Sequence, residues 1–139
     1  MKNIFLYLLI ASGMLLADFT RDYSTDTVID DQRALMWQDS EEVPMLIWKE
    51  SLKYCEDLEF ANHEDWRLPN KEELDSLVDI KRKLPAINKE FENTISYRYW
   101  SSTERSEKKA AWYVNFSYGQ KDGYYKTKKS RVLCVRADI

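Results

Sequence analysis

The chain has 139 residues, of which 44% are hydrophobic and 14% aromatic, enough for one compact domain with a core but not for two. Its formal net charge of −3 disfavours nucleic acid as a partner. With only three glycines and three prolines it contains no low-complexity linker.

An apolar run, IFLYLLIASGMLLA, extends from Ile4 to Ala17 and follows Lys2. This pattern is typical of a secretory signal peptide. We predict cleavage after Ala17, which leaves residues 18–139 as a single domain in the periplasm or outside the cell. The third residue before the cut, Leu15, is larger than usual, so an uncleaved anchor is the alternative, and the sequence predicts contact with a membrane only through such an anchor.

The chain contains two cysteines, Cys55 and Cys134. In an oxidising compartment such a pair is most simply a disulfide, whereas two distant thiols and a single histidine make a poor zinc site. We therefore expect the two cysteines to be bonded. Closing so long a loop stabilises the fold by about 4.5 kcal/mol in the chain-entropy model.

The first half of the mature chain predicts a hairpin followed by a helix. Short β-type runs around Val28 and from Leu35 to Trp37 favour the hairpin. The segment MLIWKESLKYCEDLEF then has apolar residues at helical spacing, which predicts a helix that buries Cys55. Asn62 follows and tolerates the left-handed conformation that turns the chain out of this helix.

The stretch DWRLPNKEELDSLVD, Asp65 to Asp79, is dense in charged residues. Asn70 and Glu73 have the spacing of a capping box, and Leu74, Leu77 and Val78 form the apolar stripe of a short second helix. We interpret Asp65, Trp66 and Arg67 as a structural motif, with the two charged groups in an ion pair or bonded to loop carbonyls. The alternative is an enzyme of unrecognised type with its site near Asp65 and Arg67.

The second half predicts strands at four places, which makes the fold class α+β. The fourth segment is apolar on both faces, so we expect it to lie centrally in the sheet. The loop from Gly119 to Gly123 is predicted as the tip between the second and third strands. The four segments are Tyr99 to Thr103, Ala110 to Ser117, Gly123 to Thr127 and Arg131 to Ala137.

Positive charge is concentrated near the C-terminus. From Glu104 to Arg136 there are nine basic and three acidic residues, a net +6, whereas the rest of the mature chain carries −10. This asymmetry indicates a possible site for anionic polysaccharide, with Tyr118, Tyr124 and Tyr125 available to stack on sugar rings. The alternative is that these lysines only solubilise exposed strands. The candidate residues are Lys121, Lys126, Lys128, Lys129 and Arg131, of which Lys126 and Lys128 would share one face of an extended segment.

The remaining candidates favour structural roles. His63 has no acid or thiol partner at a metal-binding spacing, and the N-terminal aspartates lack the glycine turn of a calcium loop. We predict no metal, no cofactor and no catalytic residues. Trp48, Trp66 and Trp112 lie on predicted buried faces, whereas Trp37 and Trp100 are less certain.

Six motifs occur in an order that resembles the Lcl C-terminal domain family of bacterial exported proteins. They are LMWQD (35–39), W…YC (48–55), DWRLPN…EL (65–74), YWSST (99–103), AWYVNF (111–116) and CVR (134–136). The resemblance implies a C-type-lectin-like fold, with two helices packed on a small antiparallel sheet and the N-terminal hairpin close to the C-terminal strand. It also implies that a cysteine of the first helix is bonded to one of the last strand.

Two positions depart from the family pattern. Ala34 and Asn62 stand where the family usually has glycine, which predicts strained or reshaped turns. The signatures of calcium-dependent sugar binding are absent from the sequence, and there is no collagen-like repeat. What the resemblance implies about function is a non-catalytic binding or envelope-structural module, with sulfated glycans bound by the family's namesake.

Overall fold

The computed structural model describes residues 18–139, so the predicted signal peptide, residues 1–17, lies outside the described residues. Within this range the fold is α+β, with two helices and two sheets rather than one small sheet. No helix in this range is long and apolar enough to cross a membrane. The elements are β1 (Phe19–Asp22), β2 (Thr27–Asp30), β3 (Leu35–Gln38), β4 (Met45–Leu46), α1 (Trp48–Glu56), α2 (Lys71–Asp75), β5 (Arg98–Glu104), β6 (Ala110–Asn115), β7 (Gln120–Tyr125), β8 (Ser130–Arg131) and β9 (Val135–Ala137).

The first sheet has the strand order β1-β2-β3-β9. The predicted hairpin is confirmed as β2 and β3, which pair antiparallel. The C-terminal strand β9 pairs with β3, with Trp37 opposite Val135, which confirms that the hairpin and the C-terminus are close together. The turn before β3 contains Ala34 at φ 53°, in the left-handed region that favours glycine.

The second sheet has the order β4-β8-β5-β6-β7. The single C-terminal strand that we expected is divided into β8 and β9, which belong to different sheets. Only β8 lies centrally, between β4 and β5, whereas β9 is at the edge of the first sheet. Residues 132–134 cross between the sheets and are buried, so this apolar run is explained by a crossing segment and does not require one central strand.

Strand β7 begins three residues earlier than predicted. It pairs with β6 from Gln120 onwards, so the turn lies at residues 116–119 and ends at Gly119, where φ is +88°. The predicted tip from Gly119 to Gly123 is therefore wrong. Gly123 pairs with Trp112 inside β7, and glycine is required at this position because the side chain of Arg105 occupies the space where a Cβ would stand.

Both predicted helices are present, but each ends earlier than predicted: α1 ends at Glu56, before Leu58, and α2 ends at Asp75, so Leu77 and Val78 lie beyond it. Helix α1 buries Cys55 and ends at Glu56, so Asn62 does not turn the chain out of it as predicted; Ala61 and Asn62, with φ values of 52° and 62°, instead form the turn between Phe60 and His63. Helix α2 has the expected capping box, in which the Asn70 side chain accepts from the Glu73 amide and the Glu73 carboxylate accepts from the Asn70 amide. These reciprocal bonds satisfy two amides that the helix itself leaves unpaired.

The helices cover opposite faces of the second sheet. Tyr99 and Trp100 are successive residues of β5, so their side chains point to opposite faces. Tyr99 packs in a core cluster with Leu74 near α2, whereas Trp100 packs in a second cluster with the Cys55–Cys134 disulfide. The predicted disulfide is confirmed, with a Cα–Cα distance of 5.6 Å and no exposed surface on either cysteine.

Burial of the tryptophans differs from the sequence expectation. Trp66 is only 3% exposed, as predicted, and Trp37 and Trp100, which the sequence left uncertain, are fully buried. Trp48 and Trp112 are only partly buried. Cationic side chains lie over the rings of these two, with Lys126 Nζ 4.2 Å from the Trp48 centroid and Lys71 Nζ 4.2 Å from that of Trp112.

Candidate functional site

The segment from Asp65 to Arg67 joins α2 to the first sheet. The Arg67 backbone exchanges two hydrogen bonds of 2.9 Å with Val135 of β9. Trp66 fills the second core, and its Nε1 donates to the carbonyls of Phe60 and His63 at 3.1 and 3.2 Å. Through these bonds the short extended segment 65–67 fixes strand β9, the turn at residues 60–63 and the second core to one another.

Asp65 and Arg67 are not paired with each other, which corrects the expected ion pair. The Arg67 guanidinium binds both oxygens of Glu73, at 2.7 and 2.8 Å. Because Arg67 lies opposite Val135, the next residue of β9, Arg136, reaches Asp65 instead and donates to it at 2.6 and 3.2 Å. Arg67 and Asp65 each share two hydrogen bonds with a single partner, and these bonds join separate elements of the fold.

These bonds shift the pKa values of the two acids. Hydrogen bonds from Arg136 are the main cause that lowers the pKa of Asp65 below its ordinary value. For Glu73 burial raises the pKa, but the bonds from Arg67 and the Asn70 amide outweigh burial and leave the pKa lowered. Both acids therefore stay ionised at neutral pH, as a structural pair requires and a general acid does not.

An open depression of about 880 Å³ lies beside Asp65. Its rim carries the carboxylates of Glu59, Glu64 and Asp65, with His63 on its wall and Arg136 as the one cation, already bonded to Asp65. Within residues 18–139 no group of histidine, cysteine and acidic side chains has the arrangement of a metal site. The depression is acidic, so it repels anionic ligands.

A second charged group, around Arg21 and Asp39, is buried and not part of a surface site. The Asp39 carboxylate accepts from the Arg21 guanidinium, from the amides of Glu92 and Asn93, and from the Thr94 hydroxyl. The two charged side chains are 2% and 1% exposed. The bonds from Glu92, Asn93 and Thr94 join Asp39 to the loop before β5, and the Arg21 bond joins β1 to the residue that follows β3, so this network is structural.

The five basic residues proposed from the sequence do not share one surface. Lys121, near the start of β7, is bonded to Asp75 of α2 at 2.8 Å, and five residues along an extended strand separate it from Lys126 by about 17 Å. Lys126 is bonded to Glu104. The remaining three, Lys128, Lys129 and Arg131, lie in and after the turn that follows β7.

The expected alternation of Lys126 and Lys128 on an extended segment is wrong. The Lys128 amide donates to the Tyr125 carbonyl at 2.9 Å, which closes a turn directly after β7. Lys128 and Lys129 are exposed and, within the described part of the chain, neither takes part in a salt bridge. They lie next in sequence to Ser130 and Arg131 of β8.

A different set of residues combines aromatic rings with two cations that form no salt bridge within residues 18–139. This tyrosine–arginine surface consists of Tyr97, Arg98, Tyr113, Tyr124 and Arg131, all partly exposed. The Arg98 guanidinium lies 4.4 Å from the Tyr124 centroid and 4.8 Å from that of Tyr97. Arg131 approaches the same Tyr97 ring at 6.0 Å, so the two guanidinium carbons are at most about 10.8 Å apart.

The two arginines of this surface have unused hydrogen-bonding capacity. Arg98 donates to the Tyr97 hydroxyl at 3.2 Å and Arg131 to the Val43 carbonyl at 3.3 Å. Within residues 18–139 neither forms a salt bridge, and the Nε of each is buried without a partner. The buried Nε atoms cannot reach a ligand outside the domain, but each guanidinium keeps its full charge and the Nη donors that bond neither Tyr97 nor Val43.

Sequence reasoning found Tyr124 and Arg131 but missed Tyr97, Arg98 and Tyr113. Residues two apart on a strand share a face, so Arg98 lies on the same face as Trp100 of β5 and Tyr113 on the same face as Ala111 of β6. This spacing could have placed Arg98 and Tyr113 on the face that α1 covers. Their meeting depends on the register that sets Arg98 opposite Asn115 and Trp100 opposite Tyr113. It also depends on the parallel pairing of Tyr99 with Arg131.

A family model for the Lcl C-terminal domain matches residues 26–136. The chain belongs to the Lcl C-terminal domain family. The matched Lcl C-terminal domain begins at Asp26, a partner of Arg21, and ends at Arg136, the partner of Asp65, so it contains both cores and the disulfide. No curated protein matches the sequence significantly.

Proposed function

We propose that this Lcl C-terminal domain is an exported, non-catalytic binding module that holds anionic polysaccharide on its tyrosine–arginine surface. The observation that carries the proposal is the pair Arg98 and Arg131, which both approach the Tyr97 ring and form no salt bridge within residues 18–139. Guanidinium groups bind sulfate and carboxylate through two parallel hydrogen bonds, and tyrosine rings offer flat apolar faces to sugars.

Electrostatics supports this surface over the other candidates. The depression beside Asp65 is lined by three carboxylates and repels an anionic chain. Lys121 and Lys126 each hold a carboxylate, Asp75 and Glu104, which neutralises their charge and weakens their attraction for an added anion. Lys128 and Lys129, which precede Arg131, extend the surface with two further exposed cations.

The choice of a binding module over an enzyme rests on the bonds of Asp65 and Arg67. Each is engaged at two points by another residue, which suits a scaffold and removes both from acid–base or nucleophilic work. An envelope-structural role agrees with the same bonds. Export to the periplasm or beyond the cell is proposed from the predicted signal peptide and agrees with the buried disulfide.

A sulfated oligosaccharide of the heparin type tests the proposal. Titration calorimetry with the full chain at two salt concentrations should give binding that weakens steeply as salt rises. The double variant Arg98→Gln/Arg131→Gln should weaken binding on the order of 100-fold, because a hydrogen bond to a charged group contributes about 1.5 kcal/mol or more at each position.

The matched control is Lys108→Gln/Lys109→Gln, which removes the same charge from two exposed lysines between β5 and β6. It should change affinity by less than about threefold, as expected for distant screened charges. Lys128→Gln/Lys129→Gln should weaken binding by an intermediate amount. Equal losses in the arginine variant and the control, or unchanged binding in the arginine variant, would reject the tyrosine–arginine surface.

A further inference from the structure

A basic loop with exposed aliphatic side chains lies between α2 and β5. Its tip carries three successive cations, Lys81, Arg82 and Lys83, all exposed. Ile80 and Leu84 stand on either side of them, 86% and 61% exposed. Within the described residues none of the three cations takes part in a salt bridge, although Arg105, Lys121 and Lys126 elsewhere on the surface all do.

Backbone hydrogen bonds hold this loop in a fixed position. Its ends are joined where the Asp79 amide donates to the Ala86 carbonyl at 3.3 Å. The Leu84 amide donates to the Ser117 carbonyl at 2.9 Å, which brings the loop beside Tyr118, itself 55% exposed. This anchored loop therefore carries two exposed aliphatic side chains and three cations, and the exposed Tyr118 lies on the neighbouring turn.

Leu84 is the residue whose placement most needs a reason. Its φ of 56° lies in the left-handed region, which is unfavourable for a branched apolar residue. Its side chain is exposed in spite of this and so gains little from the domain's own cores. The exposure of an apolar side chain at a strained backbone position is explained if an apolar environment outside the domain covers that side chain.

We propose that this loop docks on the surface of an anionic lipid bilayer. Basic residues at such a surface are attracted by its negative potential, while aliphatic and tyrosine side chains at the same level enter the boundary between headgroups and acyl chains. A loop with cations at its tip and apolar residues beside them matches both requirements. Since none of the three cations forms a salt bridge within residues 18–139, all three are available to the anionic headgroups.

This inference is independent of the polysaccharide proposal, because the loop packs beside the turn at residues 116–119 whereas Arg98 and Arg131 lie on β5 and β8. It predicts an orientation in which the protrusion faces the membrane. The predicted leader, Ile4 to Ala17, is apolar and can bind lipid by itself. Contact of the loop must therefore be measured locally rather than as total binding.

Amide hydrogen exchange of the full chain, read by mass spectrometry, provides the local measurement. Vesicles in which roughly one lipid in three is anionic should slow exchange across residues 80–84 by about tenfold at a lipid concentration ten times the dissociation constant. Vesicles of purely zwitterionic lipid should not. Lys81→Gln/Arg82→Gln/Lys83→Gln should abolish the protection, since each cation contributes about fivefold and three together on the order of 100-fold.

Two further variants complete the test. Lys49→Gln/Lys108→Gln/Lys109→Gln removes the same charge from exposed lysines elsewhere and should keep the protection. Ile80→Ser/Leu84→Asn removes the apolar contribution, with asparagine suited to the left-handed position, and should reduce the protection by several-fold. The proposal is overturned if neither lipid protects the loop, if both protect it equally, or if either test variant behaves like the control. Protection that rises with protein concentration without lipid would assign the loop to a protein interface and overturn it equally.

Discussion

Replacing Trp66 by alanine should destabilise the domain by about 3 to 5 kcal/mol, because a cavity remains after the indole's transfer free energy is lost. The structure supports a value in this range. Trp66 is 3% exposed, packs edge-on against Phe60 with ring centroids 5.8 Å apart, and shares its core cluster with the disulfide. The substitution also leaves two carbonyls without the indole donor, at a cost of about 1 kcal/mol within the same range.

Urea unfolding under non-reducing conditions, followed by far-ultraviolet circular dichroism, measures this loss. Trp112→Ala is the matched control, since its ring is partly exposed and lies between Lys71 and Arg105. It should cost only about 1 to 2 kcal/mol, mainly from two cation–π contacts and partial burial. A loss below about 1 kcal/mol for Trp66→Ala, or a larger loss for Trp112→Ala, would refute the assignment of Trp66 to the core.

Two further predictions concern Ala34 and Tyr99. Ala34→Gly should stabilise the domain by about 0.5 kcal/mol, because relief of a left-handed alanine exceeds the entropic cost of glycine, whereas Ala137→Gly in β9 should destabilise it by a similar amount. Thermal unfolding of both variants checks this, and a fall in melting temperature for Ala34→Gly would contradict it. Burial raises the pKa of Tyr99 from 10.0 to about 12, so its stabilising contribution is complete below pH 10 and is lost as pH rises towards 12. Between these values Tyr99 should make the free energy of unfolding fall by up to about 1.4 kcal/mol per pH unit, and Tyr99→Phe should remove that slope. Identical slopes in the variant and the parent would count against burial as the cause.

The sequence by itself determined the features that depend on neighbouring residues. The capping box at Asn70 follows from two side chains that reach amides within one helical turn. The helix that buries Cys55 follows from apolar spacing, and the left-handed Asn62 from its tolerance of that conformation. The disulfide does not depend on neighbouring residues, but it could be predicted because the chain has only two cysteines and each has one possible partner.

Only the tertiary structure decided which distant groups meet. Asp65 and Arg67 are two residues apart but bind Arg136 and Glu73, because strand β9 and helix α2 pack on either side of their segment. Trp100 and Trp112 lie on strands with similar apolar patterns, yet only Trp100 is fully buried, since α1 closes over its face. Arg98 and Arg131 lie on the neighbouring strands β5 and β8, and the Tyr97 ring is the group that both of them approach. Register and packing between segments far apart in the chain set these contacts, and a shift of one residue would turn each side chain to the opposite face.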